Sequence, residues 1–415
     1  MKLDLKNKKV TIIGAARSGI AAAELVLKLG GIAKISDAKV GVGHAQPLEG
    51  IIIESEGHTR EFIQDSDVVV LSPGVRLDSL PVQWAREKGI EVIGEIEFAY
   101  RLCSCSIVAV TGSNGKTTTV TLIAEILRKA GRGVVLCGNI GSPFSSHILN
   151  LKKTDTVVLE VSSFQLESTV DFKPHVAVWL NFSQNHLDRH KDLTEYFEAK
   201  KKIFQNQDQN DYAVLNFTQE EFKGVVDGLR AKVLFFDEPS DPSDITNPNY
   251  QAAIITAKAL GISEDICRQV FAEFKGVENR LELVRTLHGV DYINDSKSTT
   301  AEAGRWALER AHKPLIMICG GSDKKIDYTD LKSLVARKVK CLIAIGDIKG
   351  QLKDTFVGVV PVETADTFIN AIELAQKKAV PGDCVILSPM TASFDMFKDY
   401  EHRGQVFKEV VNQLK

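Results

Sequence analysis

The sequence contains no C-x-x-C pair and no run of 18 apolar residues, and its positive and negative charges nearly cancel. Each absence removes a class of protein. The seven cysteines are odd in number and most lie in apolar runs, which argues against a disulfide framework or a zinc site and for buried thiols in a reducing compartment. Without a long apolar run there is no candidate membrane span, and the charged stretch Met1 to Lys9 does not read as a secretory leader, so the expected location is the cytoplasm. The 51 basic and 54 acidic residues give a net charge of −3. No global positive field therefore favours nucleic acid, and an anionic ligand must be held by local groups. Internal repeats and low-complexity segments are also absent.

What is present is an ordinary globular composition, 44% hydrophobic and 25% charged over 415 residues, a length that suits about three domains at roughly 150 residues each. Strand-like apolar runs alternate with amphipathic stretches throughout, the pattern of β-α units and parallel sheets. The first series holds Val10–Gly14, a helix over Ser18–Leu29, then Ile32–Asp37, Gly50–Ile53, Val68–Leu71 and Ile90–Ile93. The second runs through Ile107–Thr111, Val134–Cys137, Val157–Val161, Val176–Leu180, Tyr212–Asn216 and Val233–Phe236, followed by helical patterns at Tyr250–Leu260 and Ser263–Phe274. The third holds Val290–Ile293, Leu315–Gly320, Cys341–Ile345, Val359–Val362 and Cys384–Ser388, closed by a helix from Phe397 onward. The expectation is an α/β chain of three domains: a Rossmann-like N-terminal domain (1–96), a central domain with a mostly parallel sheet (97–277), which the loop after Thr111 makes P-loop-type, and a Rossmann-like C-terminal domain (278–415).

The strongest chemical signal is the strand Ile107–Thr111 running into Gly112-Ser113-Asn114-Gly115-Lys116-Thr117-Thr118 at a helix start. Glycines let backbone amides converge on phosphate, the helix N-terminus adds its positive end, Lys116 reaches the outer phosphates and Thr117 can ligate Mg²⁺. Strict Walker spacing would place glycine at Val110, so the loop is a variant. In the first series Gly14-Ala-Ala-Arg-Ser-Gly19 follows a strand and Asp37 ends the next, a layout close to a dinucleotide fingerprint but with Ala16 in place of the middle glycine.

The variant loop resembles the ATP loop of the Mur ligases, the amide-forming enzymes of bacterial peptidoglycan synthesis. Further segments fit the resemblance over nearly the whole chain: Leu71-Ser-Pro-Gly74, Gly94-Glu-Ile-Glu97, Gly138-Asn-Ile-Gly141, Leu159-Glu-Val-Ser-Ser-Phe-Gln-Leu-Glu167, His186-Leu-Asp-Arg-His190, Asn279-Arg280, Asn294-Asp-Ser-Lys297 and Ser388-Pro389. Within the family they look most like the D-glutamate-adding members. The resemblance implies ATP-dependent joining of D-glutamate to UDP-N-acetylmuramoyl-L-alanine through an acyl phosphate, two Mg²⁺ ions, small-molecule substrates only and a monomeric chain.

Residue by residue, the resemblance makes Glu160 and His186 metal ligands beside Thr117, and Lys200 a lysine carbamylated by CO₂ that becomes an oxygen ligand. It assigns Arg17, Ser18, Asp37, Ser72 and Asn139 to the UDP substrate. Asn249, Arg280 and Asp295 go to ATP, Lys297 to the γ-phosphate, and Thr299, Lys324, Ser393 and Phe394 to D-glutamate. Two positions depart from the family pattern: Asn185 stands where Asp is usual, and Ile245-Thr246 where an adenine-contacting His-Asn is usual. The competing readings are another amide ligase of the superfamily, folylpolyglutamate synthetase included, an NAD-dependent dehydrogenase, and a P-loop switch. The last two leave either the 112–117 loop or the outer domains without a task.

Overall fold

A computed structural model describes residues 3–38, 49–183, 189–238 and 245–415. The chain forms two compact units, Met1–Phe274 and Lys275–Lys415. All seven cysteines are free thiols. No helix among the described residues is long and apolar enough to cross a membrane.

The first unit carries two wholly parallel sheets. One is built from β1 (Lys9–Ile13), β2 (Ile32–Ser36), β3 (Ile52–Glu54), β4 (Val68–Leu71) and β5 (Glu91–Gly94) in the order β3-β2-β1-β4-β5. The run Val68-Val-Val-Leu71 is buried on both faces, which is why it reads as continuously apolar rather than alternating. The other sheet holds β6 (Ser106–Thr111), β7 (Val134–Gly138), β8 (Thr156–Glu160), β9 (Val176–Trp179), β10 (Tyr212–Asn216) and β11 (Lys232–Phe236) in the order β11-β10-β9-β6-β8-β7. The chain moves outward from β6 to β7, returns through β8 and then crosses to β9 on the other side. The loop after β6 thus leaves the sheet where the strand order reverses, the place at which α/β sheets bind ligands.

The second unit has one sheet of β12 (Glu282–Leu287), β13 (Val290–Asn294), β14 (Leu315–Gly320), β15 (Val339–Ile345), β16 (Val362–Thr364) and β17 (Cys384–Leu387), ordered β12-β13-β17-β14-β15-β16. Four of its strands lie where the apolar runs place them, and two points need correction. Val359 and Val360 do not form a strand: their amides bond back to Phe356 O and close the preceding helix, so the edge strand starts at Val362. β12, antiparallel to β13, is unanticipated because Glu282-Leu-Val-Arg-Thr-Leu287 is a partly exposed edge in which charged and apolar residues mix without a continuous apolar run. Its signal is the turn His288-Gly289, both residues at positive φ (50° and 76°), the requirement of a two-residue hairpin.

Candidate active site

At the end of β6, Gly112 (φ 155°) and Gly115 (φ 82°) take backbone conformations that suit glycine, and the helix Lys116–Lys129 starts directly after them. A Cβ on Gly115 would lie 2.3 Å from Asn249 Oδ1, so the loop and Asn249 are pressed together. Lys116 Nζ donates to Gly112 O (2.8 Å) and Ser113 O (3.0 Å), folded onto the loop it belongs to. Glu160, at the end of neighbouring β8, is 2% exposed. Its two oxygens accept from Thr117 Oγ1 and Asn139 Nδ2, both at 2.8 Å. A buried carboxylate and a hydroxyl facing each other beside a phosphate-type loop are the hard oxygen donors that Mg²⁺ takes.

Lys200, from the helix Leu193–Lys201, is buried against the same loop, donating to Gly112 O (3.0 Å) and Thr111 Oγ1 (3.4 Å). Burial, then the charge of nearby Lys116, hold its amine well below the ordinary lysine range, with Glu160 opposing. The site therefore disfavours the ammonium form relative to an exposed lysine.

In the first sheet the turn after β1 is drawn together differently. Ala15 N donates to Asp37 Oδ2 at 2.6 Å and Ser72 Oγ to Gly14 O at 2.8 Å, while Arg17 and Ser18 open the helix Arg17–Lys28. Asn139, grouped with Ser72 by the resemblance, bonds Glu160. His186 and Asn185 lie outside the described residues. Arg189, just beyond them, donates to Gly74 O (3.0 Å) and Val75 O (2.9 Å) and pairs with Glu167 (3.1 Å), tying the two sheets at the Ser72-Pro73-Gly74 turn. A cavity of about 490 Å³ opens beside this tie, lined by Arg76, Glu167, Arg189, Glu195 and Lys202 among others.

In the C-terminal unit three loops at strand ends converge. Asp295 accepts from Ser388 Oγ (2.9 Å) and Leu281 N (3.3 Å), and burial pushes its carboxyl up to about 7, opposed by the Ser388 hydroxyl and Arg280. Arg280 stacks on Trp306, and Lys297 lies over Tyr400. Met390 N bonds Ser298 O and Ser322 N bonds Ala392 O, which brings Thr299, the exposed Lys324 and buried Ser393 to one edge; Phe394 is 74% exposed there.

Three residues of this machinery carried no signal in the sequence. Asn181 bonds Asn114 through both ends of its side-chain amide, the oxygen accepting from Asn114 N and the nitrogen donating to Asn114 O. Tyr196 places its hydroxyl 3.2 Å from Ser113 Oγ and its ring under Lys200 Nζ at 4.7 Å. Arg403 is buried between two loops of the C-terminal unit. For Tyr196 the available clue was its position one helical turn before Lys200.

Family models cover most of the chain: the MurD-like N-terminal domain of Mur ligases at residues 8–94, the Mur ligase middle domain at 110–273 and the Mur ligase glutamate ligase domain at 279–390. A UDP-N-acetylmuramoylalanine--D-glutamate ligase of Caldicellulosiruptor bescii is 39% identical over 453 residues, and one of Koribacter versatilis 37% over 449, each match spanning 99% of both chains. Among solved structures, the UDP-N-acetylmuramate-alanine ligase MurC of Thermotoga maritima matches 98% of this chain and 100% of its own with a TM-score of 0.61 at 17% identity, a likeness of fold. With α/β units that end in a phosphate-type loop and a buried carboxylate, and with relatives of this identity along its full length, the chain belongs to the Mur ligase family.

Proposed function

We propose that the protein joins D-glutamate to UDP-N-acetylmuramoyl-L-alanine at the expense of ATP, forming an amide, ADP and phosphate in peptidoglycan synthesis. The observation that carries this reading is the cluster Lys116, Thr117, Glu160 and Lys200 around the loop after β6, in a chain whose full-length relatives bear that activity in their names.

Gly112 to Thr118 would cradle ATP's phosphates, with Asn249 beside Gly115. Lys116, released from Gly112 O and Ser113 O, would turn to the outer phosphates. Thr117, Glu160 and, by resemblance, His186 would hold Mg²⁺, which when bound neutralises the charge of the transferring phosphoryl group. Neutral Lys200 would take up CO₂, its nitrogen bonding to carbon with loss of a proton, to give a carbamate whose oxygens serve a second Mg²⁺. The substrate carboxylate attacks the γ-phosphorus and ADP leaves. The amine of D-glutamate then attacks the acyl carbon, phosphate leaves, and the amine's proton goes to solvent or a nearby base.

Arg17, Ser18, Asp37, Ser72 and Asn139 are assigned to the UDP substrate, Arg280 and Asp295 to ATP, Lys297 to phosphoryl transfer, and Thr299, Lys324, Ser393 and Phe394 to D-glutamate. Domain boundaries near 96 and 277, a cytoplasmic location and a monomeric chain complete the proposal.

The test is phosphate release from ATP with the UDP-muramoyl-L-alanine substrate and D-glutamate, L-glutamate, D-alanine or L-lysine as acceptor. A pocket that pairs both carboxylates leaves buried donors unmatched when one is missing, a loss that reaches roughly 10⁴-fold in specificity. D-glutamate should therefore far exceed D-alanine. L-glutamate should fail because, with both carboxylates anchored, its amine points away from the acyl carbon. A better rate with L-lysine or L-glutamate would move the protein to another branch of the family.

A further inference from the structure

The helix Tyr400–Gln413 begins where two loops of the C-terminal unit meet. In its first turn Arg403 is 1% exposed. Its Nε donates to Ser296 Oγ at 3.0 Å, one terminal nitrogen to Ser296 O at 2.9 Å and Thr391 O at 3.3 Å, and the other to Thr391 O at 3.4 Å. The guanidinium fork is thus closed on the backbone of both loops. Ser296 Oγ in turn donates to Tyr400 O at 2.8 Å. Next in the chain, Gly404 O accepts from Asn294 Nδ2 at 3.4 Å, and a Cβ on Gly404 would lie 1.8 Å from Asn279 Oδ1. The first turn of the helix is therefore pressed onto the strand end that leads to Lys297 and Thr299 and onto the segment that leads to Ser393.

Burying a guanidinium is costly unless every donor is matched, and a fork matched by a carboxylate is the usual solution. The bonds Arg403 makes here go to neutral oxygens. The two carboxylates whose charges reach it bond elsewhere, Asp395 with Ser322 Oγ and the amide of Asp347, and Asp295 with Ser388 Oγ and Leu281 N. A positive charge thus stands directly behind the two loops that bear Thr299 and Ser393.

We propose that Arg403 is a positioning residue for the acceptor amino acid: it fixes the spacing of the Ser296 and Thr391 loops at which Thr299 and Ser393 engage a dicarboxylate, and its charge adds to the field that holds one. The proposal rests on the acceptor site assigned above. Arg403→Met, Arg403→Lys and Ser296→Ala should be compared for the KM of D-glutamate, the KM of ATP, kcat at saturating D-glutamate, and thermal midpoint. Arg403→Met should raise the KM for D-glutamate by on the order of tenfold or more, the scale of losing charge-assisted hydrogen bonds, while the KM for ATP moves much less. Arg403→Lys should recover part of the loss, because an ammonium keeps the charge but cannot span both carbonyls. Ser296→Ala should give a smaller rise of the same kind. A folded Arg403→Met with the wild-type KM for D-glutamate, or an equal rise for both substrates, overturns the proposal. If Arg403→Met does not fold, an unchanged KM for D-glutamate in both Arg403→Lys and Ser296→Ala overturns it. A wild-type protein that does not use D-glutamate defeats the functional reading instead.

Discussion

Two turns in the same unit leave a central strand on a glycine at positive φ, Gly14 (96°) and Gly112 (155°), and enter a helix, yet their second glycines do different things. After β1, a Cβ on Gly19 would lie 1.9 Å from Gly14 O, so this glycine lets the helix lie close on the strand turn. The amide of Ala15 is already taken by the carboxylate of Asp37. After β6, Gly112 and Gly115 shape the loop by positive φ, and two lysines point their amines at its carbonyls. One turn thus carries a negative group at its open amide, whereas the other collects positive ones. A strand, a glycine turn and a helix make a phosphate site only when the neighbouring side chains leave the field open to an anion.

The sharpest break of that comparison lies in the charges. Lys116→Ala and Glu160→Ala should each lower turnover by on the order of 10²-fold or more, the scale of losing one preorganised charge contact, with thermal midpoints close to wild type because neither anchors the sheet core. Lys200→Ala should be as inactive, and acetate or formate added to it should restore part of the phosphate release if a carbamate is the working group. A folded Lys116→Ala with near-normal turnover would make the second turn no more a phosphate site than the first.

Substituting the glycines separates the two uses. Gly19→Ala forces a methyl group into Gly14 O and should cost roughly 1–3 kcal/mol of stability, read from the denaturant midpoint, with the KM for ATP unchanged. Gly115→Ala strains a left-handed residue by roughly 1–2 kcal/mol and pushes on Asn249, so it should raise the KM for ATP. If Gly19→Ala changed the KM for ATP and Gly115→Ala did not, the contrast would be reversed.

What the sequence made legible follows the same division. The loop after β6 packs its chemistry into consecutive residues, so strand, glycines and Lys-Thr could be read directly. Tyr196 and Arg403 act on residues 83 and 107 positions away in the chain, and neither residue type announces such a role. Three sheets were legible because buried parallel strands are continuous apolar runs. β12 was not, since a partly exposed antiparallel edge has no need of a continuous apolar run. Asn139 was grouped with Ser72 by resemblance, and its bond to Glu160 was not legible because it follows from β7 pairing with β8 in the folded sheet.

The comparison extends to the carboxylates. Asp295 closes a turn in the C-terminal unit by accepting Leu281 N, as Asp37 does for Ala15 N, but Asp295 is buried and its carboxyl is pushed up to about 7 from an ordinary 3.8. Between those values the folded chain holds a proton that the unfolded chain has released. Stability from this group is therefore full below about pH 4 and is lost as pH rises through 7, by at most about 1.4 kcal/mol per pH unit. Asp295→Asn cannot lose it. Its thermal midpoint relative to wild type should climb from pH 5 to pH 8, and a constant difference would mean that Asp295 is ionised throughout.

The smallest expected effect is at the first turn itself. Asp37→Asn keeps an oxygen that can accept from Ala15 N, so the turn and the fold should survive, while the negative charge is removed. An asparagine amide also presents a donor where a uracil ring would meet an acceptor, and the loss should be roughly a few-fold, the scale of one partly exposed hydrogen bond. It should appear only in the KM for the UDP substrate, leaving kcat and the KM for ATP unchanged. Initial rates with each substrate varied in turn separate these outcomes. A change in the KM for ATP would mean that the two turns communicate within the unit, and an unchanged KM for the UDP substrate would make Asp37 a purely structural partner of Ala15, with the substrate held by Arg17, Ser18 and Ser72.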